Sequence, residues 1–280
     1  GKLWVREGYQ PKSNTTYLMN LYLVLMNSVV ESIKEKACTV RYPKGINLTI
    51  PTSEKNFIGN YPMGSYVNMG ENHNVVGIYW QNDWNTRDFD LHYQSIDGQA
   101  FGWNADYYKN NSKVNIIYSG DITNAPNGAT ELFYIGGEAP DGKFTINRFS
   151  GNYEDSQFKF FIAKDNKLAT MKNGEYRNKT SHYMVDPNDI VAEFMIPVTN
   201  DSNETSVAMT VDNKFVLMDL KSGNRRVPKT ELNKIIIDKM RIKARAFVDL
   251  KEVLEAAGFT EAPQDAKEVG LDLTQVSKDS

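Results

Sequence analysis

A series of short β-branched segments, divided by turn residues, limits the possible folds of this chain more than any other feature. Between residues 39 and 163 the segments are rich in Val, Ile, Thr, Tyr and Phe, which are residues favoured in strands. Turn signals such as Asp97-Gly98, Pro126-Asn127-Gly128 and Asp141-Gly142 separate them. Many short strands at this spacing predict an antiparallel β-sandwich or jelly roll. Because no helical periodicity alternates with the segments, the pattern argues against a parallel α/β sheet.

The predicted strands continue beyond this region. They cover residues 39–42, 46–50, 65–69, 75–80, 89–93, 115–118, 131–135, 144–149, 157–163, 189–197, 206–211 and 214–220. Each is bounded by turn residues or by a polar stretch. The fold class is therefore expected to be mainly β.

Two helices flank the predicted sandwich. Over residues 15–37, apolar side chains recur at three- and four-residue spacing and form one stripe, which we expect to pack on the fold or on a further part of a longer protein. A long C-terminal helix is predicted over 230–257, with Thr230 as N-cap and Gly258 at the C-terminal cap. The chain is thus divided into an N-terminal helical segment (1–38), a β-sandwich (39–228), and a C-terminal helix and tail (229–280).

Composition and charge argue against several classes of partner. The net charge of -3 over 280 residues argues against a general basic face, so we expect no nucleic-acid binding. The most apolar stretch, residues 17–30, is interrupted by Asn20 and Asn27 and is shorter than the roughly 18 residues of a membrane span, so none is expected. The single cysteine, Cys38, excludes an intrachain disulfide and favours a reducing compartment. We therefore expect a cytoplasmic protein.

No motif in the sequence indicates an enzyme. The three histidines, His73, His92 and His182, are far apart and lack metal-ligand spacing. Patterns of the P-loop and of the Gly-x-Ser-x-Gly nucleophile are absent. Cys38 has no adjacent base, which a nucleophilic thiol requires. We therefore expect a non-enzymatic module.

A dense set of oxygen ligands occupies residues 83–131. Asp88, Asp90 and His92 alternate with Phe89 and Leu91, so the polar side chains are expected on one face of a strand and the apolar ones in the core. Calcium takes roughly six to eight oxygen ligands, and this segment offers candidates on several loops. The candidate metal ligands are Asp88, Asp90, Asn104, Asp106, Asp121 and Glu131. The same residues also fit a solvated acidic face without an ion.

The order of these motifs resembles the TerD-like family, which is associated with tellurium resistance and stress response. The resemblance covers residues 76–135 and rests on four features: Asp88-Phe89-Asp90-Leu91-His92, Asp106 with Asn110-Asn111, Ser119-Gly120-Asp121, and Glu131 at the start of the next strand. Residues 51–54 and 77–80 further resemble TerD-like C-terminal regions of larger bacterial proteins. The resemblance implies a β-sandwich that binds calcium through these acidic loops.

The sequence departs from the family pattern in two places. His92 stands where the family has a third acidic residue, and a histidine is a poor calcium ligand. The loop from Asp106 to Asn110-Asn111 is one residue shorter than the pattern. Either change can remove one of the ion positions that the resemblance implies.

Aromatic residues flank the acidic ones. Trp84 and Trp103 lie in segments typical of turns, and Tyr107 follows close behind. Exposed aromatic rings beside an ion can form a platform for a sugar ring, whereas buried ones are part of the core. Trp84, Trp103 and Tyr107 are therefore candidate ligand-platform residues.

Three hypotheses follow for the function. The first is a calcium-binding, non-enzymatic module of a bacterial stress-response or phage-defence protein, in which the ion orders the acidic loops for a partner. That partner would be the remainder of a larger parent protein or another protein. The second is a calcium-dependent carbohydrate-binding module. The third is a metal-free structural interaction domain.

Overall fold

Most of the predicted strands lie in two six-stranded sheets. The computed structural model describes residues 15–51, 53, 57–70, 74–106, 108–110, 114–137, 139–151, 156–164, 185–198, 204–222 and 231–274. The helices are α1 (Thr15–Ile33), α2 (Glu231–Arg245) and α3 (Leu250–Ala256). The strands are β1 (Thr39–Arg41), β2 (Phe57–Ile58), β3 (Tyr61–Pro62), β4 (Tyr66–Asn68), β5 (Asn74–Trp80), β6 (Thr86–Ser95), β7 (Ala100–Phe101), β8 (Tyr108–Asn110), β9 (Val114–Tyr118), β10 (Ala129–Gly137), β11 (Gly142–Gly151), β12 (Gln157–Lys164), β13 (Ile190–Pro197), β14 (Glu204–Val211), β15 (Lys214–Ser222), β16 (Thr260–Glu261) and β17 (Leu271–Asp272).

The two large sheets are antiparallel throughout. The first has the strand order β13-β12-β5-β10-β9-β8, and the second has the order β4-β15-β14-β11-β6-β7. Every predicted strand is found except 46–50, which makes only isolated bridges at Asn47 and Thr49. The mainly β fold class is confirmed.

One apolar core fills the space between the sheets. Because strand side chains alternate between two faces, Ile78 and Trp80 of β5 point inward, as do Phe89 and Leu91 of β6. The rings of Trp80 and Phe89 meet edge to face with centroids 6.0 Å apart. Since β5 and β6 belong to different sheets, this contact joins the two layers of the sandwich.

Helix α2 covers the outer face of the second sheet. Its Met240 and Ala244 contact Met209 of β14 and Val216 and Met218 of β15. The helix sequence therefore follows the expected rule that one apolar stripe faces the sheet. This packing ties the C-terminal segment to the sandwich.

The predicted helix over 230–257 is divided in two, which corrects the sequence prediction. Its backbone leaves the helical path at 246–249, where the Val248 carbonyl accepts a hydrogen bond from Ile50 N and Leu250 N donates to the Leu48 carbonyl. Asp249 then caps α3, because its side chain accepts hydrogen bonds from the backbone N–H groups of Lys251 and Glu252. Tertiary hydrogen bonds and a new cap thus override a continuous apolar stripe.

Helix α1 presents most of its apolar residues to solvent. Leu18, Leu21, Leu25 and Val29, which form the predicted stripe, are 42–57 % exposed. Only the last turn packs on the fold, where α1 meets a cluster that includes Val40, Leu254 and Phe259. The expected packing of the stripe on the described part of the fold is therefore found only at its C-terminal end.

None of the helices in the described ranges is long and apolar enough to cross a membrane.

A small third sheet joins distant parts of the chain. Strand β1 lies between β16 and β17 and pairs in parallel with both. The predicted boundary at residue 39 assigns β1 to the sandwich, whereas β1 pairs with strands of the C-terminal segment. Arg41 reinforces the pairing through an ion pair with Asp272 at 2.7 Å.

The close contact between Phe247 and Gly64 gives a test of how the C-terminal segment packs on the sandwich. A Cβ at Gly64 would lie 2.2 Å from Cγ of Phe247, whereas one at Gly98 would meet only the side-chain end of Lys234 at 3.4 Å. Both glycines have positive φ, +95° and +89°. We expect Gly64→Ala to lower the free energy of unfolding by about 1–3 kcal/mol more than Gly98→Ala, because only the former adds overlap to the shared backbone strain. Urea denaturation measures both; equal losses would contradict this contact.

Candidate metal centre

Three carboxylates from two sheets converge at one place. Asp88, Asp90 and Asp121, called here the acidic cluster, each offer a ligand oxygen within 4.8 Å of the others. Asp88 and Asp90 lie two residues apart on β6 and so share a side of the strand. Asp121 follows β9, which belongs to the opposite sheet. The structure therefore brings together three of the six candidate ligands.

The acidic cluster is buried more deeply than carboxylates usually are. Asp88 is 5 % exposed and Asp90 is 3 % exposed, while Asp121 is half-buried. Asn147 of β11 donates a hydrogen bond of 2.9 Å to Oδ2 of Asp90. Oδ1 of Asp88 and Oδ1 of Asp121 are buried without a hydrogen-bond partner. A buried unpartnered carboxylate oxygen costs several kcal/mol unless a cation or donor satisfies it.

Burial raises the pKa values of all three groups, and repulsion between the carboxylates adds to the shifts of Asp88 and Asp90. Desolvation, followed by the charge of Asp121, raises the pKa of Asp88 to about 6. Desolvation also raises the pKa of Asp90 to about 7, where the hydrogen bond from Asn147 opposes the effect and the charges of Asp88 and Asp121 add to it. Burial raises the pKa of Asp121. Among the described residues, no positive charge counters these shifts by favouring the ionised carboxylates.

No described cation fills that role. In the ranges given above, no ion pair involves Asp88, Asp90 or Asp121. The donors are oxygens only, which suits a hard cation such as calcium or magnesium. The three carboxylates fit such an ion, because it would satisfy both unpartnered oxygens and offset their repulsion.

Glu131 lies beside the acidic cluster but is not a member of it. The side chain is fully buried. Its Oε2 accepts hydrogen bonds from Leu91 N at 2.8 Å and from the Tyr118 hydroxyl at 2.6 Å, and its Oε1 accepts one from Ile122 N at 3.1 Å. Burial raises its pKa well above the usual value, against the influence of these three donors.

Two further predicted ligands lie in an exposed turn. Asn104 and Asp106 are exposed in the turn that follows β7. The backbone of Asp106 accepts a hydrogen bond from Gly102 and donates one to Ala100, which closes this turn. The structure does not bring the carboxylate of Asp106 into the acidic cluster.

His92 continues the polar row of Asp88 and Asp90 along β6. Gly102 lies directly against its ring, since an added Cβ would be 2.4 Å from Nδ1. Burial, followed by the charge of Lys143, lowers the pKa of His92 to about 4. The imidazole is therefore neutral at physiological pH and lies outside the acidic cluster.

Of the three predicted platform residues, the structure shows only Trp103 to be exposed. Trp84 is half-buried against the core and meets Tyr79 edge to face at 5.5 Å, while Tyr107 lies outside the described residues. Trp103 is 39 % exposed and contacts Phe149, which is 68 % exposed, with ring centroids 6.5 Å apart. We call Trp103 and Phe149 the aromatic pair. Phe149 lies at a register shift on β11, between Arg148, which is opposite Phe89, and Ser150, which is opposite Asp88.

Sequence reasoning missed Asn147, Tyr118 and Phe149. Asn147 and Phe149 lie in the predicted strand 144–149, but its cross-strand neighbours depend on a pairing register that the sequence does not reveal. The alternation in β6 was the signal that identified Asp88 and Asp90.

The chain matches no family model, no curated protein and no solved structure.

Replacement of one carboxylate tests the cost of burying the acidic cluster. In EDTA at pH 8, Asp90→Asn should raise the free energy of unfolding by about 1–3 kcal/mol, because the amide carries no buried charge. The pKa of Asp90 in the folded state lies above its ordinary value, so protonation of Asp90 stabilises the folded protein at low pH. This stabilisation is lost as the pH rises toward about 7. The difference in the free energy of unfolding between Asp90→Asn and the wild type should therefore shrink toward pH 4.

Chemical denaturation between pH 4 and pH 8 measures this difference. His92 titrates in both proteins, so its effect cancels. Asp106→Asn is the matched control, because that carboxylate is exposed and outside the acidic cluster. A stability of Asp90→Asn below that of the wild type at pH 8 would contradict the stated electrostatics.

Proposed function

We propose that this β-sandwich is a calcium-binding, non-enzymatic module. The observation that carries the proposal is the burial of Asp88 and Asp90 beside Asp121, with two carboxylate oxygens lacking a partner. An ion held by Asp88, Asp90 and Asp121 would satisfy those oxygens. Backbone carbonyls and water can complete the six to eight oxygen ligands that calcium takes.

The chemistry of the donors favours calcium over softer metals. The acidic cluster contains no histidine or cysteine, and carboxylates without such ligands suit calcium, magnesium or manganese rather than zinc or copper. Magnesium retains several waters and demands near-octahedral geometry. A site built from three closely spaced carboxylates on two separate segments suits the larger and more flexible coordination of calcium.

The ion would order the acidic loops by joining two layers of the fold. Asp88 and Asp90 belong to β6 of one sheet, and Asp121 belongs to the segment after β9 of the other. An ion bound only by the folded state adds RT ln(1 + [L]/Kd), roughly 2.7 kcal/mol at a hundredfold excess over Kd. We propose that the surface ordered in this way binds a partner.

The biological setting of the proposal rests on the TerD-like resemblance. It favours a bacterial stress-response or phage-defence protein of the cytoplasm, in which this chain contacts the remainder of a larger parent protein or another protein. The single cysteine agrees with a reducing compartment.

A calcium titration tests the proposed site. After treatment with EDTA, addition of calcium should raise the melting temperature by several degrees, and magnesium should raise it less. The variant with both Asp88→Asn and Asp90→Asn should lose the shift, because two of the three proposed ligands lose their charge. Asp106→Asn, the matched control, should retain it.

A titration without any shift in the melting temperature would count against the proposal. A folded, metal-free wild-type protein with no shift at millimolar calcium would contradict the proposed site. The metal-free interaction domain would then become the better explanation, with the exposed apolar side chains of α1 as its contact surface.

The aromatic pair favours a second candidate function, a calcium-dependent carbohydrate-binding module. Trp103 and Phe149 expose ring surface, and Phe149 lies two residues from Asn147, which donates a hydrogen bond to Asp90. Asn104 and Asp106, in the same turn as Trp103, offer exposed polar groups for hydroxyls. A sugar ring could stack its apolar face on the rings while its hydroxyl groups bond to these side chains.

Titration with a panel of oligosaccharides tests this candidate through tryptophan fluorescence. Binding in calcium should quench the emission, and Trp103→Ala or Phe149→Ala should weaken binding by about tenfold, as expected for loss of roughly 1.4 kcal/mol of stacking. Trp84→Phe is the control, because Trp84 packs against the core. Quenching that survives Trp103→Ala would exclude the aromatic pair as the platform.

A further inference from the structure

We infer that Glu131 is a positioning residue, which sets the separation of Asp90 and Asp121 from within the core instead of ligating the ion. The inference rests on the proposed ion site and adds a function for the one predicted ligand that the acidic cluster leaves out. It is carried by the hydrogen bonds of the Glu131 carboxylate and by the edge of β6, which the described strands pair only in part.

Strand β6 has an incompletely paired edge beside the acidic cluster. On one side β11 pairs with it from Thr86 to Ser95, but on the other side β7 pairs only with Tyr93 and Gln94. Within the described ranges no strand pairs with this second edge near Asp88 and Asp90. The N–H of Leu91 donates instead to Oε2 of Glu131, a side chain of the opposite sheet. Glu131 thus replaces a strand carbonyl as acceptor.

The other carboxylate oxygen holds the second segment of the site. Oε1 of Glu131 accepts a hydrogen bond from Ile122 N at 3.1 Å. Ile122 directly follows Asp121, just as Leu91 directly follows Asp90. Because consecutive Cα atoms are fixed about 3.8 Å apart, movement of either N–H moves the neighbouring ligand. One buried carboxylate therefore links the two halves of the acidic cluster.

The Glu131 side chain is itself held in place. The Tyr118 hydroxyl donates to Oε2 at 2.6 Å, and the Tyr118 ring stacks on Phe133 with centroids 5.1 Å apart. A carboxylate accepts about four hydrogen bonds, and three of these positions are filled by the described donors. These bonds leave little capacity for direct ligation and make the carboxylate a rigid spacer.

The expected effect is on ion affinity and ion choice. Selectivity between calcium and magnesium depends on cavity size, ligand number and flexibility. Residues that orient metal ligands typically change affinity by 10–100-fold when replaced. A loosened Asp121 should therefore weaken calcium binding and reduce the preference for calcium over magnesium.

The test compares Glu131→Gln with Tyr118→Phe. The glutamine amide must direct its NH₂ group at one of the two backbone N–H donors, so one of the two segments is released. Tyr118→Phe removes a donor from the same carboxylate but leaves both backbone bonds. Isothermal titration calorimetry with calcium and with magnesium should show calcium affinity reduced about tenfold or more in Glu131→Gln, with a smaller calcium-to-magnesium ratio. Tyr118→Phe should stay within about threefold of the wild type, with the ratio unchanged.

Equal calcium affinities for the two variants, with both folded, would overturn the inference while leaving the proposed ion site intact. Failure of the wild type itself to bind calcium would instead remove the proposed function and, with it, the inference.

A measurement on the wild-type chain covers the case in which Glu131→Gln does not fold. Hydrogen exchange of the Leu91 and Ile122 amides should slow by about tenfold or more when calcium binds, because the ion immobilises the residue before each. The Phe160 amide in the sandwich core is the internal reference. Exchange at Leu91 and Ile122 that changes no more than at Phe160 would overturn the inference.

Discussion

The contact between the inward faces of the two large sheets determines where the other elements lie. Trp80 and Phe89 meet across this space, and the strands that carry them must align so that both rings are buried. Once that packing is set, alternation directs every second residue of β6 away from the core. Asp88 and Asp90 then lie next to the segment after β9, and the acidic cluster follows from the sandwich itself.

We expect the acidic cluster to lower the stability of the metal-free fold. Three carboxylates lie together without a described positive charge, and burial raises their pKa values. Proteins commonly retain such unfavourable local arrangements where a ligand requires them. Neighbouring groups limit the strain, since Asn147 donates to Asp90 and Glu131 accepts the backbone donors that follow Asp90 and Asp121. The acidic cluster thus combines hydrogen-bonded surroundings with two buried carboxylate oxygens that lack a described partner.

The sequence predicted the fold class and the placement of Asp88 beside Asp90, because both depend on local periodicity, whereas Asp121 was only one of several candidates on loops. Alternation along β6 is sufficient to place Asp88 and Asp90 together. Whether Glu131, Asn104 and Asp106 approach the acidic cluster depends on how separate segments pack against each other, which a strand pattern does not determine. The division of the C-terminal helix near Val248 has the same origin, since residues 48–50 supply the competing hydrogen bonds. The exposure of Phe149 follows from a register shift that appears only after pairing.

The small parallel sheet has a consequence for the order in which the chain can fold during synthesis. Arg41 of β1 bonds to Asp272 of β17, 231 residues later. Closing so long a loop carries an entropic cost that grows with (3/2)RT ln n, and β1 has no strand partner in the described chain until β16 and β17 have left the ribosome. The last turn of α1 packs on the same cluster. The sandwich can therefore form while the chain is still growing, whereas the orientation of the first helix is decided only after β16 and β17 have been synthesised.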